Sequence, residues 1–397
     1  MKNNTDFLGI DEAKGTLRIV SGSHEAENPP HGAAPSRLEH GARPGLLDFF
    51  AGSGLVSHAL SGYFETVWAN DICPRKAAVF GANHQSVPFH LGSIAEVSGK
   101  AVPPAPISWG SFPCQDLSLA GKGEGIQAKR SGLVWEWLRV VDEMPKRPSV
   151  LALENVLGLI STNNGAHYHE LHNALTNRGY RVGAMLLDAA RWLPQSRPRV
   201  FVIAIDARVK IPESMLGRGP NWAHPSSICR VTSPLNGWVW WHLPAPEEPT
   251  TTLSDMVDFT LPCHDDATSA KNLAMIPSVH MHRLEASELR VAPGYKRIRH
   301  GKQVLELRFD DMAGCLRTPV GGSSKQYLVI RHSQTWKTRI LSPREAARLM
   351  GAPETYKLPG TFNDGYKAMG DAVAAPVVAY LAKHLLSPLV EACNGHS

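Results

Sequence analysis

Cys114 stands between a proline and a glutamine at the end of an apolar run, in GSFPCQDLSLAGKGEGI, residues 110–126. Proline before it and polar residues after it count against burial, so the thiol is presented rather than packed. The thiolate is the reactive form of cysteine, and a loop near cationic groups lowers its pKa; here SLAGKGEG supplies flexible glycines and Lys122. Glu154, in ENV, closes the apolar run SVLAL. A carboxylate at the mouth of a buried strand suffers desolvation unless partnered, which raises its pKa toward that of a proton donor near neutrality. QSRPRVF, residues 195–201, places Arg197 and Arg199 on one side of an extended segment, because alternate residues share a face. Two guanidiniums so placed hold an anion or a planar base edge. Each residue has a structural alternative: a small core residue for the cysteine, a helix cap for the glutamate, solvated surface for the arginines.

A second group has nucleotide-binding chemistry. LLDFFAGSG, residues 46–54, reads as strand, glycine turn and helix start, and Asp71 follows Asp48 by 23 residues at the end of the next strand pattern. Glycines let the backbone approach a ligand, and a carboxylate at that spacing accepts both hydroxyls of a ribose. The turn reads GSGLVS and lacks the GxGxxG start that a diphosphate favours. An adenosyl cofactor without phosphates fits better, and a dinucleotide dehydrogenase does not fit. The histidines of HYHELH (His167, His169, His172) and the HMH at 280–282 invite a metal reading. Positions 167, 169 and 172 do not share a helical face and no HExxH or cysteine partner appears, so no metal is expected.

These residues need a scaffold. From Gly45 to about residue 205, short apolar runs (LLDFF, ETVWAND, PISWGSF, SVLALEN, AMLLDA, RVFVIAID) alternate with helical patterns. That alternation predicts an α/β fold, a mostly parallel Rossmann-like sheet with helices on both faces. Asp48, Asp71, Ser111 and Glu154 end runs, and ligands bind beyond the carboxyl ends of such strands. Residues 1–44 read as a mobile leader, because 21–44 are rich in Pro, Gly, Ser and charge. After Asp206 the texture turns irregular and β-poor, with many prolines and tryptophans. Near the end of that stretch, GG followed by YLVI predicts a hairpin or strand return. LSPREAARLMG then offers Ser342 as N-cap, Pro343 at the first helical position and Glu345 as the capping-box partner.

The chain of 397 residues is 43% hydrophobic, long enough for one large domain with an insertion or for two domains. No run approaches the roughly 18 apolar residues of a membrane span, and the N-terminus lacks a signal-peptide pattern, which points to the cytoplasm. Six scattered cysteines without a CxxC pair indicate neither a disulfide framework nor a cysteine zinc site. The net charge of +5 is compatible with a nucleic-acid partner. Residues 271–302 hold seven Lys or Arg against two Glu, a candidate phosphate-contacting surface, with a solvated basic face as the alternative.

In their order, six blocks resemble the DNA (cytosine-5) methyltransferase family of bacteria and their phages: DFFAGSG, GSFPCQDLS, ENV, QSRPRVF, RILSPREAARLMG and GDAVAAPVV. The resemblance implies an S-adenosylmethionine-dependent methyltransferase fold: catalytic residues 45–205, an inserted, smaller, irregular target recognition domain at 206–337, and a returning catalytic part at 338–397. It implies that Cys114, with Gln115 beside it, adds to C6 of a flipped-out cytosine, that Glu154 hydrogen-bonds or protonates N3, and that Arg199, paired with Arg197, holds the carbonyl side. S-adenosylmethionine, leaving as S-adenosylhomocysteine, is implied among Phe50, Gly52, Gly54, Asp71, Ile72, Ser93, Pro113, Leu133, Asp371 and Val373. The returning segment is expected to complete the sheet beside the first block. Double-stranded DNA is the implied partner, met by Ser118 and Lys122 of a closing loop and by Arg290, Lys296, Arg297 and Arg299. A monomer is implied, and a cognate restriction enzyme encoded elsewhere is compatible with it.

Three positions depart from the family's pattern. Ser93 stands where an Asp is usual, Leu55 where another glycine is common, and Asp371 follows Gly370 where Asn is usual. Asp371 adds a negative charge beside the cofactor cleft. Two other readings of the same fold stay open: an RNA (tRNA) cytosine-5 methyltransferase, and a catalytically silent DNA-binding regulator, against which the retention of Cys114, Glu154, Arg197 and Arg199 counts.

Overall fold

The computed structural model describes residues 42–113, 132–232, 235–318 and 324–394. The leader up to residue 41, and Cys114, Gln115, Ser118 and Lys122, lie outside the described residues.

The six apolar runs, joined by one short strand that the runs did not mark, Phe89–Leu91, form one sheet: β1 (Gly45–Phe49), β2 (Glu65–Asp71), β3 (Phe89–Leu91), β4 (Ile107–Gly110), β5 (Val150–Asn155), β6 (Tyr180–Asp188) and β7 (Pro198–Asp206). Their order across the sheet is β3-β2-β1-β4-β5-β7-β6. All neighbours are parallel except β7, which runs antiparallel to both β5 and β6. The chain steps one way from β1 to β3, then returns to lay β4 on the other side of β1. The sheet therefore has its switch point between β1 and β4, where a cleft opens beyond the strand ends. The glycine turn after β1 and the Ser111–Pro113 segment after β4 enter that cleft side by side; Ser111 N donates to Phe49 O at 3.4 Å.

Strand alternation divides the core. Leu46, Ile107, Val150 and Ala152 face one apolar layer with α1 (Leu55–Leu60) and the C-terminal helices. Leu47, Leu151 and Leu153 face the other, with Val134, Trp137, Leu138 and Val141 of a helix over Leu133–Glu143. Helices thus cover both faces, as the runs predicted.

Three expectations need correction. The insertion is irregular only up to the helix Ser278–Glu285. Beyond it, β8 (Val291–Arg299), β9 (Lys302–Leu307), β10 (Gln326–His332) and β11 (Thr335–Ile340) form an antiparallel sheet in the order β11-β10-β8-β9. Its charged alternation masked the strands: in YKRIRHGKQVLEL, His300 and Gly301 both take positive φ and turn β8 into β9. Val291, Leu328 and Ile330 pack this sheet onto the main core, and Leu305, Leu307 and Tyr327 meet Ile276 and Leu284 on its other face.

The returning C-terminal segment also adds no strand to the seven-stranded sheet. It is helical, and Ala375–Leu381 packs across α1, because AAPVVAYL is apolar all round and fits between layers. Its helix Pro343–Leu349 carries the predicted cap, Ser342 and Glu345 each bonding the other's backbone N–H. Finally, the helical run Phe362–Asn394 is long and apolar enough by composition to cross a membrane. Leu381, Leu385, Leu386, Leu389 and Val390 are all buried in the main core, which accounts for that composition.

Candidate active site

β4 ends at Gly110, opposite Leu153, and β5 runs on two residues through Glu154 to Asn155. Past these ends the chain leads through Pro113 toward Cys114, and Asn155 Nδ2 donates to Phe112 O at 3.1 Å, tying the root of that loop to the carboxylate strand. β7 runs back beside β5 with Phe201 opposite Glu154, so Arg199 is the diagonal neighbour on the same face. Its Nε lies 2.9 Å from Glu154 Oε1. Glu154 is only 8% exposed, and the guanidinium supplies the partner that a buried carboxylate requires.

Arg197 is a correction. The alternation predicts it beside Arg199 on one ligand, but it is 3% exposed and its terminal nitrogens mainly hold backbone: Nη1 donates to Leu316 O at 3.0 Å, Nη2 to Gly370 O at 3.1 Å and Ala372 O at 2.6 Å. It lies just outside the β6/β7 ladder, whose last pair joins Asp188 to Pro198, and Asp188 Oδ1 takes its backbone N–H. Arg197 is therefore a clamp on two returning segments.

The structure adds Cys315, which sequence reading missed because no periodic pattern surrounds it. Its Sγ is 3.5 Å from Arg197 Nη1 and 3.9 and 4.0 Å from the terminal nitrogens of Arg199. Burial pushes this thiol's pKa up, but Arg197, Arg199 and Arg317 outweigh it and leave it below the ordinary value.

On the other side of β1, Asp71 closes β2. Its Oδ2 accepts from Gly52 N at 2.9 Å and its Oδ1 from Cys73 N at 2.8 Å, which aims the carboxylate into the turn with lone pairs left for hydroxyls. Gly52 has φ +57°, and among the described residues a side chain built there would meet nothing closer than Lys76 Cδ and Phe50 O, each 3.9 Å away, so a ligand can approach its backbone. Ile72 is 69% exposed beside Asp71 and offers a flat apolar surface. Phe50 takes φ +55° at the head of the turn. Tyr356 donates to Ser53 O at 2.5 Å and Ser53 Oγ to Ala368 O at 3.4 Å, fastening the turn to the helix Phe362–Asp371 that carries Asp371. Carboxylate, bare glycine and apolar ledge suit an adenosine. The Ser93 hydroxyl accepts from Ala95 N at 3.3 Å as a cap; Pro113 follows β4, Leu133 opens the helix Leu133–Glu143, and the buried Val373 follows the helix Phe362–Asp371.

Residues 45–387 match the C-5 cytosine-specific DNA methylases. The chain belongs to that family. Among curated relatives, this methylase is 27% identical over 350 residues to the Type II methyltransferase M.HhaI of Haemophilus parahaemolyticus, covering 87% of this chain and 94% of the relative. It is 24% identical to M.Bsp6I of Bacillus sp. (strain RFL6), covering 87% and 99%. In three dimensions it is similar to the Dnmt2 methyltransferase of S. pombe, with a TM-score of 0.58 at 18% identity over 89% of this chain and all of that one.

In this DNA methylase the basic residues expected to meet DNA do not form one patch. Tyr295, Arg297 and Arg299 share a face of β8, and Tyr295 donates to Cys315 O at 2.8 Å, so this face adjoins the base-side cleft. Arg299 is paired with Glu306 at 2.6 Å. Lys296 points to the opposite face, over the Tyr327 ring, and Arg290 stacks on Phe259. The histidines His169 and His172 contact backbone carbonyls of Val231 and Asn236. Among the described residues, no three His, Cys, Asp or Glu groups gather to hold a metal.

Proposed function

We propose that this cytosine-5 DNA methylase uses Cys114 as its nucleophile, Glu154 at N3 and Arg199 at the carbonyl side of a cytosine flipped out of double-stranded DNA. The observation that carries this reading is the Glu154–Arg199 pair, 2.9 Å apart at the mouth of β5, next to the strand that leads into Cys114. A base must leave the stack to reach such a recess.

S-adenosylmethionine, when bound between Ile72, Asp71 and Gly52, supplies an electrophilic methyl group. An aromatic C5 is a poor nucleophile, so the protein divides the reaction. The Cys114 thiolate adds to C6 while Glu154 hydrogen-bonds or protonates N3 and Arg199 steadies the oxygen beside it. C5, now enamine-like, takes the methyl group. Loss of the C5 proton and cleavage of the C6–S bond then restore the ring and the thiolate. Arg199 holds Glu154 in place throughout, and Asn155 keeps the Cys114 loop rooted at Phe112.

In this reading residues 45–205 and 338–397 carry the chemistry and 206–337 read the duplex, with Arg297 and Arg299 toward phosphates. The enzyme works as a monomer in the cytoplasm of a bacterium or a phage-infected host, and a restriction enzyme encoded elsewhere would be its counterpart. The test is covalent capture: DNA containing 5-fluorocytosine traps wild type and not Cys114→Ser. Failure of wild type to form the adduct at its own methylated site, found by bisulfite sequencing of a host expressing it, overturns the mechanism. Methyl transfer to tRNA and not to DNA would favour the RNA reading instead.

A further inference from the structure

Lys76 lies in the first turn of the helix Pro74–Asn83, five residues beyond Asp71. Its side chain crosses above the glycine turn, with Cδ 3.9 Å from the position of a Cβ on Gly52. Its Nζ reaches Asp371 Oδ2, 2.6 Å away, on the opposite wall of the cleft. Asp371 is fixed with care. The Thr318 hydroxyl donates to its Oδ1, and Arg197 holds the carbonyls of Gly370 and Ala372 on either side. A side chain at Gly370 would strike Arg317 O at 2.7 Å. Burial alone would push the Lys76 pKa down, yet Asp371 and then Asp71 hold it above its ordinary value, so the ammonium is firmly charged.

The two side chains keep 23% and 31% of their surface exposed, and a solvent-reachable ion pair contributes little stability, about 0–1 kcal/mol, so anchoring alone does not explain so constrained a pair. Asp71 marks the ribose end of the cofactor turn; Gly52 donates its N–H to it and also has the Lys76 stem 3.9 Å from its Cβ position, so the one glycine adjoins both the ribose carboxylate and the Lys76–Asp371 bridge. The bridge therefore lies toward the end where a nucleoside bearing an amino acid would carry its two opposite charges. We infer that Lys76 and Asp371 are a matched receiver for the zwitterionic amino-acid end of the methyl donor, Lys76 taking the α-carboxylate and Asp371 the α-ammonium. Binding exchanges one internal ion pair for two to the ligand, so neither side chain is left uncompensated. The acidic residue at 371 and the lysine at 76 thus act together, and the extra negative charge beside the cleft becomes a binding group.

This inference rests on the adenosyl-donor reading above, and three ligands separate the two. Calorimetry on the full chain uses S-adenosylmethionine, decarboxylated S-adenosylmethionine, which keeps the ammonium, and 5′-methylthioadenosine, which has neither charge. Lys76→Met is expected to weaken S-adenosylmethionine by about 10- to 100-fold, the value of a charged hydrogen bond, while leaving the decarboxylated ligand and methylthioadenosine within about threefold of wild type. Asp371→Asn is expected to weaken both ammonium-bearing ligands and spare methylthioadenosine. Lys76→Arg should retain most of the preference for the carboxylate. Equal losses for all three ligands, or no loss for S-adenosylmethionine, overturn the receiver while wild-type binding leaves the donor reading standing. A wild type that binds none of the three overturns both.

Discussion

Arg199 Nε meets Glu154 Oε1 at 2.9 Å across the antiparallel junction of β7 with β5, the one place in the main sheet where a strand runs backward between parallel-running neighbours. A parallel strand there would bring its opposite end to this cleft. The reversal puts the start of β7, with its arginines, at the carboxyl end of β5.

Removing the guanidinium leaves a buried carboxylate alone. Arg199→Ala should lose about 3 kcal/mol of stability, read by urea unfolding. Arg199→Met with Glu154→Gln should recover part of that loss, because no charge is then stranded. Equal destabilisation of the single and double variants would contradict the pairing.

Arg197 acts on backbone. Arg197→Met strips donors from Leu316, Gly370 and Ala372 carbonyls and should cost about 3 kcal/mol or more. Arg197→Lys, with a single ammonium in place of a fork, should recover only a fraction. A lysine variant as stable as wild type would sink the clamp.

Gly54 offers a backbone test. Its φ is +84°, and a Cβ would lie 2.6 Å from His84 Cδ2 and 2.8 Å from Phe80; the same His84 ring bonds Gly54 O at 2.9 Å. Gly54→Ala should lower stability by about 2 kcal/mol or more. Gly62, with nothing within 4 Å of an added Cβ, should accept Ala within about 0.5 kcal/mol.

Asp48 predicts a pH dependence. It is 1% exposed in β1, takes a 2.6 Å bond from Ser57 Oγ, and burial, reinforced by Asp71, pushes its carboxyl from 3.8 up to about 7. The fold therefore favours the protonated form. This contribution is complete below about pH 4 and is lost as pH rises through 7, worth about 4 kcal/mol at the outside. Thermal unfolding from pH 5 to 8.5 should show wild type losing stability relative to Asp48→Asn. Parallel curves for the two proteins would remove Asp48 as the cause.

Most of the parallel part of the fold was legible because β1, β2, β4 and β5 are apolar runs with a polar residue at or beside the end, Asp48, Asp71, Ser111 and Glu154, whereas the three-residue β3 (Phe89–Leu91) left no such mark. Strand direction was not legible: RVFVIAID has the same composition whichever way it lies between neighbours. Glu154, Arg199, Asp71 and Gly52 announced themselves by type and spacing. Lys76 did not, since in PRKAAVFGAN it reads as an ordinary solvated helix cation and its partner Asp371 is far along the chain. Cys315 was hidden for a similar reason, its meaning coming only from arginines on another strand. The strands β8 and β9 were obscured because their outward lysines and arginines read as surface charge before they read as alternation.

Arg197 secures the wall that carries Asp371, and Arg199, two residues on, secures Glu154, so both pockets are indexed to the same few residues of chain. A slip of one residue along the head of β7 would offer Pro198 and Val200, or in the other direction Ser196 and Pro198, to the two pockets at once, silencing base and donor sites in a single event. Length variation ought to be tolerated in the surface turns of the insertion, such as His300–Gly301, and to abolish activity at the head of β7.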